Sequence, residues 1–344
     1  MRTLAVRLDS LGDLVVTGPA LRALAATSEV SLLCGRRGRP VADLLPGVSR
    51  VLEWTAPWID PEPDPVDVAE IAAVSELIAA ERADRALIFT SFHQSPLPTA
   101  LLLRMSGVPW IGAISVDYPG SLLDLRVTDV PDDLPEHERA LRLVRAAGFD
   151  LPPGDDGLPA LLQATLPDMG TELEAALVPP YVVLHPGTSV SARAWPVERF
   201  RAAAELLARR GHRLVVTGAP DEQALTKEVA DGLALDLGGM LDVAGLAGVL
   251  ARAACVVVGN TGPAHLAAAV RTPVVSLFAP TVPAVRWAPR GAAVALLGDQ
   301  EAICRDTRAT VCPVPGHPCL ASVTPSEVAD AVERLCAIPG KDHS

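Results

Sequence analysis

The stretch from Val256 to Pro280, VVVGNTGPAHLAAAVRTPVVSLFAP, constrains this chain more than any other. Its β-branched run, Val256 to Val258, has the composition of a buried strand. The run breaks at Gly259-Asn260-Thr261-Gly262-Pro263, a cluster of turn formers. Ala264–Val270 then reads as a small-residue helix and Pro273–Phe278 as a second strand. Strand, glycine-rich turn, helix and strand make a βαβ unit. Such a turn brings free backbone N–H groups to the positive end of a helix, which suits an anion such as a phosphate. His265 falls in the first turn of that helix.

The same alternation runs along almost the whole chain. Strands are expected at Thr3–Leu8, Val30–Cys34, Arg85–Thr90 and Pro109–Ile114, and helices at Leu14–Ala26, Val66–Ala80, Leu97–Met105 and Glu136–Ala147. Leu151–Pro180 breaks the rhythm with Pro152, Pro153, Pro159, Pro167, Pro179 and Pro180, and reads as an interdomain crossover. A second series follows: strands at Tyr181–Leu184 and Arg213–Thr217, helices at Val197–Arg210, Asp221–Asp231 and Val243–Ala253, the βαβ unit above, and a terminal helix at Pro325–Leu335. Trp54–Asp67, rich in proline and acids, reads as a surface loop. The expected fold is α/β: two Rossmann-like halves with parallel sheets covered by helices, facing a central cleft. The boundaries are an N-terminal domain at 1–165, a linker at 166–180, a C-terminal domain at 181–324, and a terminal helix and tail at 325–344. Ligands of such sheets bind at the loops that follow the strands.

Composition excludes several classes. The 344 residues suit two domains and, at 49% hydrophobic, can fill two cores. The net charge of −12 argues against nucleic-acid binding, which needs a basic face. It also disfavours electrostatic docking on anionic membranes, though it leaves room for local peripheral contact. Arg7, Asp9 and Asp13 interrupt the first apolar stretch, so no signal peptide is read there, and no apolar run is long enough to span a bilayer. Six cysteines in a chain of this length are not a disulfide scaffold. A cytoplasmic protein, monomeric by default, is expected.

Four loop clusters carry polar groups suited to chemistry. Asp9-Ser10-Leu11-Gly12-Asp13 follows the first strand, where Asp13 is either a helix N-cap or a general base, with Asp9 as its rival. Gly12 stands without the other glycines of a dinucleotide fingerprint, so a nicotinamide or flavin site is not expected there. His185-Pro186-Gly187-Thr188-Ser189 offers hydroxyls, and Arg193 a fixed cation suited to a diphosphate. Asp221 or Glu222 can accept hydrogen bonds from a ribose or simply cap a helix, and the Met240 thioether can pack on a base face. Asn260, Thr261, Gly262 and His265 form the fourth. Cys304, Cys312, Cys319 and His317 have the residue types of a zinc site, but their spacing matches no compact knuckle, and no bound metal is expected.

Taken in order, RLDSLGDLVVTGPALRAL, LHPGTSVSARAWPVERF, VVGNTGPAHLAAAVRTPVVSLFAPT and CRDTRATVCPVPGHPCL resemble glycosyltransferase family 9, the ADP-heptose:lipopolysaccharide heptosyltransferase family. The resemblance covers nearly the whole chain. It implies a GT-B fold, with the acceptor on the first domain, the nucleotide sugar on the second, and the terminal helix packing back on the first. It further implies inverting, metal-independent transfer of a heptose or related sugar from an ADP-sugar to a glycan or lipid-linked acceptor, without a cofactor. On this resemblance Asp13 is the general base and Arg193 matches a lysine that neutralises the departing diphosphate. Thr188, Ser189, Thr261, Gly262 and His265 match donor-phosphate contacts, Glu222 or Asp221 a ribose contact and Met240 a base contact. Asp9, Ser10 and Gly12 lie on the acceptor side. Asn260 departs from the family's Asp-Thr-Gly. Asn keeps the shape, loses the charge and can donate as well as accept, which leaves the donor sugar and its nucleotide open. Two other readings stay in view: a catalytically silent nucleotide-sugar-binding protein, and a GT-B-type enzyme such as a sugar-nucleotide epimerase.

Overall fold

The computed structural model describes residues 1–162 and 171–337, apart from the side chains of residues 171, 172 and 174. It divides into two compact units, Met1–Leu162 and Gln163–Ser344. The first comprises β1 (Arg2–Arg7), α1 (Leu11–Ala25), β2 (Glu29–Cys34), α2 (Arg39–Ala42), β3 (Arg50–Glu53), α3 (Val68–Glu81), β4 (Arg85–Ile88), α4 (Leu97–Met105), β5 (Ile111–Ile114), β6 (Leu125–Val127) and α5 (Glu136–Ala146). All six strands are parallel, in the order β3-β2-β1-β4-β5-β6. Leu4 and Val6 of β1 join Ile88, Ile111, Val74, Ile78 and Leu103 in one core, while the intervening Ala5 is equally buried on the other face. Both faces of β1 are covered, which is why it reads as a continuous apolar run.

The second unit comprises α6 (Thr171–Ala176), β7 (Val182–His185), α7 (Val197–Arg209), β8 (Leu214–Val216), α8 (Gln223–Ala230), β9 (Leu235–Asp236), α9 (Val243–Arg252), β10 (Cys255–Gly259), α10 (Gly262–Ala269), β11 (Val274–Leu277), α11 (Ala284–Trp287), β12 (Val294–Leu297), α12 (Pro318–Ala321) and α13 (Pro325–Cys336). Its six parallel strands run β12-β11-β10-β7-β8-β9. Numbered from the unit's own first strand, this is the same order as in the first unit, and it is the order of the dinucleotide-binding α/β fold.

Several expectations need correction. The edge strands β3, β6, β9 and β12 were not anticipated, and α1 begins at Leu11 rather than Leu14. Trp54–Asp67 is not simply a surface loop: Trp54 and Ala56 are core residues, and Trp58 Nε1 donates to Thr99 Oγ1 at 2.9 Å. Of the expected linker at 166–180, residues 166–170 lie outside the described residues, and Thr171–Ala176 is helical, as α6. The terminal helix is an integral part of the second unit. The Thr324 N–H donates to Glu327 Oε2 at 2.7 Å and the Glu327 N–H to Thr324 Oγ1 at 3.2 Å, a reciprocal cap that starts α13 just before Pro325. Its apolar face, Val328, Val332 and Leu335, packs with Val257, Val275 and Phe200 of that unit's core. Each such side chain contributes roughly 1.5–3 kcal/mol by burial. That face completes the second core.

Candidate active site

In each sheet the strand order reverses beside the first strand, between β1 and β4 in one unit and between β7 and β10 in the other. Loops leaving adjacent strands in opposite directions open a crevice at the strands' carboxyl ends, where such folds bind ligands. Most of the residues singled out in the sequence lie at these two points.

In the first unit, Ser10 rather than Asp13 is the N-cap of α1, with extended backbone at φ −91° and ψ 176°. Asp13 is the third helical residue, and Gly12 is buried beside it. Asp13 Oδ2 accepts from Ser10 Oγ at 2.6 Å and from the Ser10 N–H at 3.1 Å. Its Oδ1 accepts from Arg7 Nη2 at 2.8 Å and from Ser91 Oγ, beyond β4, at 3.4 Å. Arg7 Nε also pairs with Asp9 at 2.9 Å, and Gln94 Nε2 donates to the same Asp9. Burial pushes the Asp13 carboxyl up, but the Arg7 charge and the Ser10 and Arg7 hydrogen bonds outweigh it and hold the group below the usual carboxylate range. Asp13 is thus ionised at neutral pH, with 13% of its side chain open to solvent. Gly35, just beyond β2, allows this loop to close: a Cβ there would lie 2.4 Å from the Leu8 carbonyl oxygen. The importance of Arg7 was missed in the sequence. The available signal was a charged residue ending the apolar strand RTLAVR.

At the second unit's switch point, His185 ends β7 and its Nδ1 lies 2.9 Å from Thr217 Oγ1 at the end of β8. Burial pushes His185 down to about 4, so it is neutral at physiological pH. Thr188 shapes the following turn, donating to the Val190 carbonyl and accepting from the Val190 N–H, both at 3.2 Å, while Ser189 is exposed. Arg193 closes a short 3-10 turn, Ser191–Arg193, and its Nη1 donates to the Asn260 carbonyl at 3.3 Å, joining the β7 and β10 loops. Glu222 turns back to accept from the Ala219 N–H at 2.8 Å, against Gly187. Asp221 is exposed. The Gly239 N–H donates to the Gly218 carbonyl at 2.9 Å, which brings the Met240 loop beside the Glu222 loop, with Met240 69% exposed.

Thr261 is the N-cap of α10, Gly262 its first residue, and His265 is buried in the turn that follows. Pro263 has no N–H, so this helix end offers fewer donors than a generic glycine turn. Asn260 behaves differently from the other loop residues. It is buried, its Nδ2 donates to the Ala279 carbonyl at 3.4 Å, and its Oδ1 accepts from the Ala279 N–H at 3.3 Å. The amide satisfies both backbone groups of one residue beyond β11. A carboxylate could satisfy only the N–H. Asn260 therefore has a structural role: it ties two loops together.

The cysteine segment packs. Cys304 and Cys319 belong to the second unit's core, and Cys312 Sγ donates to the Val314 carbonyl at 3.4 Å. Burial, with the neighbouring Cys304 and Cys312, pushes the Cys319 thiol up to about 11. His317 heads α12 in a left-handed conformation. Among the described residues no group of three His, Cys, Asp or Glu side chains is arranged to hold a metal ion. Likewise among the described residues, no helix is long and apolar enough to cross a membrane.

Comparison with known proteins fits this architecture. The profile of glycosyltransferase family 9 (heptosyltransferase) matches residues 73–315. Lipopolysaccharide heptosyltransferase 1 of Escherichia coli K12 is 27% identical over 329 residues, covering 90% of this chain and 94% of its own. Among solved structures, the glycosyl transferase family 9 protein of Veillonella parvula superposes with a TM-score of 0.76 at 16% identity, covering 97% of both chains. The E. coli heptosyltransferase WaaC, solved with ADP-2-deoxy-2-fluoro heptose, gives a TM-score of 0.74 at 24% identity over 97% of this chain and 99% of its own. The paired parallel sheets are those of a GT-B glycosyltransferase. This chain belongs to glycosyltransferase family 9, the heptosyltransferase family.

Proposed function

We propose that this enzyme transfers a heptose, or a closely related sugar, from an ADP-linked donor to a hydroxyl of a glycan or lipid-linked acceptor, with inversion and without a metal cofactor. The observation that carries the reading is the ionised Asp13 at the first unit's switch point, one lobe of its carboxylate held by Arg7 and the other by Ser10. In this scheme the first unit supplies the base and the acceptor side, with Asp9, Ser10 and Gly12 around it. The acceptor oxygen bonds to the anomeric carbon as its proton passes to Asp13. The bond from that carbon to the diphosphate breaks, its electron pair leaving with ADP. The second unit supplies the donor site. Arg193 offsets the charge on the departing diphosphate, helped by Thr188, Ser189, Thr261, Gly262 and His265. Glu222 meets the ribose in preference to Asp221, because its carboxylate is already turned into the loop beside Gly187, and the exposed Met240 packs on the base. Asn260 contributes by holding its loop rather than by touching the sugar.

The nucleotide and sugar are supported by the E. coli relative and by the WaaC structure with its ADP-heptose analogue. Action in the cytoplasm as a monomer is the accompanying proposal. A thermal-shift comparison of ADP, UDP and GDP tests the donor, since a ligand bound only by the native state raises its apparent stability. ADP should shift the transition most; an equal or larger response to UDP or GDP would remove the ADP assignment. ADP release from ADP-heptose with heptose-deficient lipopolysaccharide tests the chemistry. Asp13→Asn should slow it by about 10²–10⁴, the usual contribution of a general base. Unchanged turnover would remove Asp13 from that role, and no turnover by the unmodified protein would favour a silent binder.

A further inference from the structure

In this scheme Arg7 only holds one lobe of Asp13, yet the acids of the first switch point are arranged around it. It ends β1 with 3% of its side chain exposed. Its fork is divided: Nε pairs with Asp9 at 2.9 Å, while Nη2 donates to Asp13 at 2.8 Å and to Ser91 Oγ at 3.0 Å. From α5, the buried Glu136 carboxylate acts on the same charge, and Arg7, Glu136 and Arg139 line one small cavity. A guanidinium serving only to pin a loop does best with one carboxylate held bidentately. This one is spread across Asp9, Asp13 and the Ser91 hydroxyl of the loop after β4.

We infer that Arg7 is the positioning residue of the reaction, aiming Asp13 at the acceptor hydroxyl and keeping it ionised until the proton arrives. The inference rests on the reading of Asp13 as the base. A carboxylate has about four lone-pair sites. Arg7 and the two Ser10 donors take three of them with short bonds, whereas Ser91 reaches Oδ1 only at 3.4 Å. The Ser91 position is the one an incoming hydroxyl can take without breaking a strong contact. Ser91 then keeps its bond from Arg7, so the same guanidinium orders both the base and the group displaced from it. Holding Asp13 ionised also makes it a weak base. Proton transfer is therefore late, after the acceptor oxygen has begun to bond to the anomeric carbon and become acidic.

The charged groups around Asp13 are Arg7 of β1, Asp9 of the following loop, and Glu136 and Arg139 of α5; the β4–α4 loop contributes the uncharged Ser91 and Gln94. The test follows the Asp13 carboxyl by ¹³C NMR in aspartate-labelled protein, assigned by difference from Asp13→Asn, alongside the pH profile of ADP release from ADP-heptose with heptose-deficient lipopolysaccharide. In Arg7→Gln the Asp13 titration and the acid limb of the profile should both move up by about one unit or more, since an opposite charge at this distance is worth about that much. At neutral pH kcat should fall about 10–100-fold, the cost of a misaimed group, with KM for the donor nearly unchanged. Arg7→Lys, which keeps the charge, should restore the low titration and most of the rate. A folded Arg7→Gln whose Asp13 titrates as before overturns the proposal. If that variant does not fold, the unmodified protein decides: an Asp13 titrating at or above the ordinary aspartate value overturns the proposal equally. Full transfer by Asp13→Asn would instead refute the base assignment and leave the Arg7–Asp13 titration result standing, so the two failures are distinguishable.

Discussion

Asn260→Asp, a change of one side-chain group at nearly constant shape, should be damaging in this protein. Asn260 is 6% exposed, and its amide holds both the N–H and the carbonyl of Ala279. An ionised Asp keeps the first bond, loses the second and faces a carbonyl oxygen with a negative charge. Leaving the buried Ala279 carbonyl without its donor costs about 1–3 kcal/mol. The new carboxyl escapes by taking a proton, which restores a donor toward Ala279. Its folded pKa is therefore raised. Arg193, seated on the Asn260 carbonyl, offsets part of this. A net rise of about two units at about 1.4 kcal/mol each gives roughly 3 kcal/mol, consistent with the hydrogen-bond figure. The sign follows from linkage. Below the unfolded aspartate value the group is protonated in both states and the penalty vanishes. It grows as pH rises and is complete above the folded pKa. Thermal unfolding of the variant and the unmodified protein, run from pH 4.5 to 8, should show a Tm gap that opens with pH to about 4–10 °C. A gap independent of pH, or none at pH 8, would refute the two-point account of Asn260.

His185 makes the opposite contribution. Its folded pKa is depressed to about 4 by burial, so its stabilising effect is complete above about pH 6.5 and is lost as pH falls toward 4. The loss amounts to about 3 kcal/mol. His185→Gln, still able to bond Thr217, should flatten stability against pH across that window in urea titrations; an unchanged slope would count against the assignment. Gly35→Ala drives a Cβ into the Leu8 carbonyl at 2.4 Å. It should cost about 1–3 kcal/mol by overpacking and, by shifting the Leu8–Asp9 backbone, lower transfer more than donor binding. Equal stability and activity would show that the loop yields.

The interior strands were legible because they are apolar on both faces, as in LAV of β1 and VVV of β10. The edge strands were not. β3 reads RVLE, β6 LRV and β9 LD, short segments with charged residues and incomplete burial, and a strand covered on one side sends a weak signal. The start of α1 was misjudged because Ser-Leu-Gly-Asp has the composition of a turn, whereas Ser10 and Asp13 in fact cap a helix. The motifs fall mostly in the loops at the two switch points. Their partners were beyond local reading: Ser91 lies 78 positions from Asp13, and Ala279 lies 19 from Asn260. That Asn260 can donate was legible in the sequence; that it donates to Ala279 was not.

The position of α13 has a consequence for how the chain is made. Val328, Val332 and Leu335 cover residues of β10 and β11 and pack against α7, so this core stays open until residues near 335 have left the ribosome. The first unit, whose buried residues run to Leu161, can close while the rest is still being translated. Synthesis therefore separates the two halves in time. The half bearing Asp13 can be native first, and the half bearing Arg193 stays vulnerable to aggregation and proteolysis until its last helix arrives.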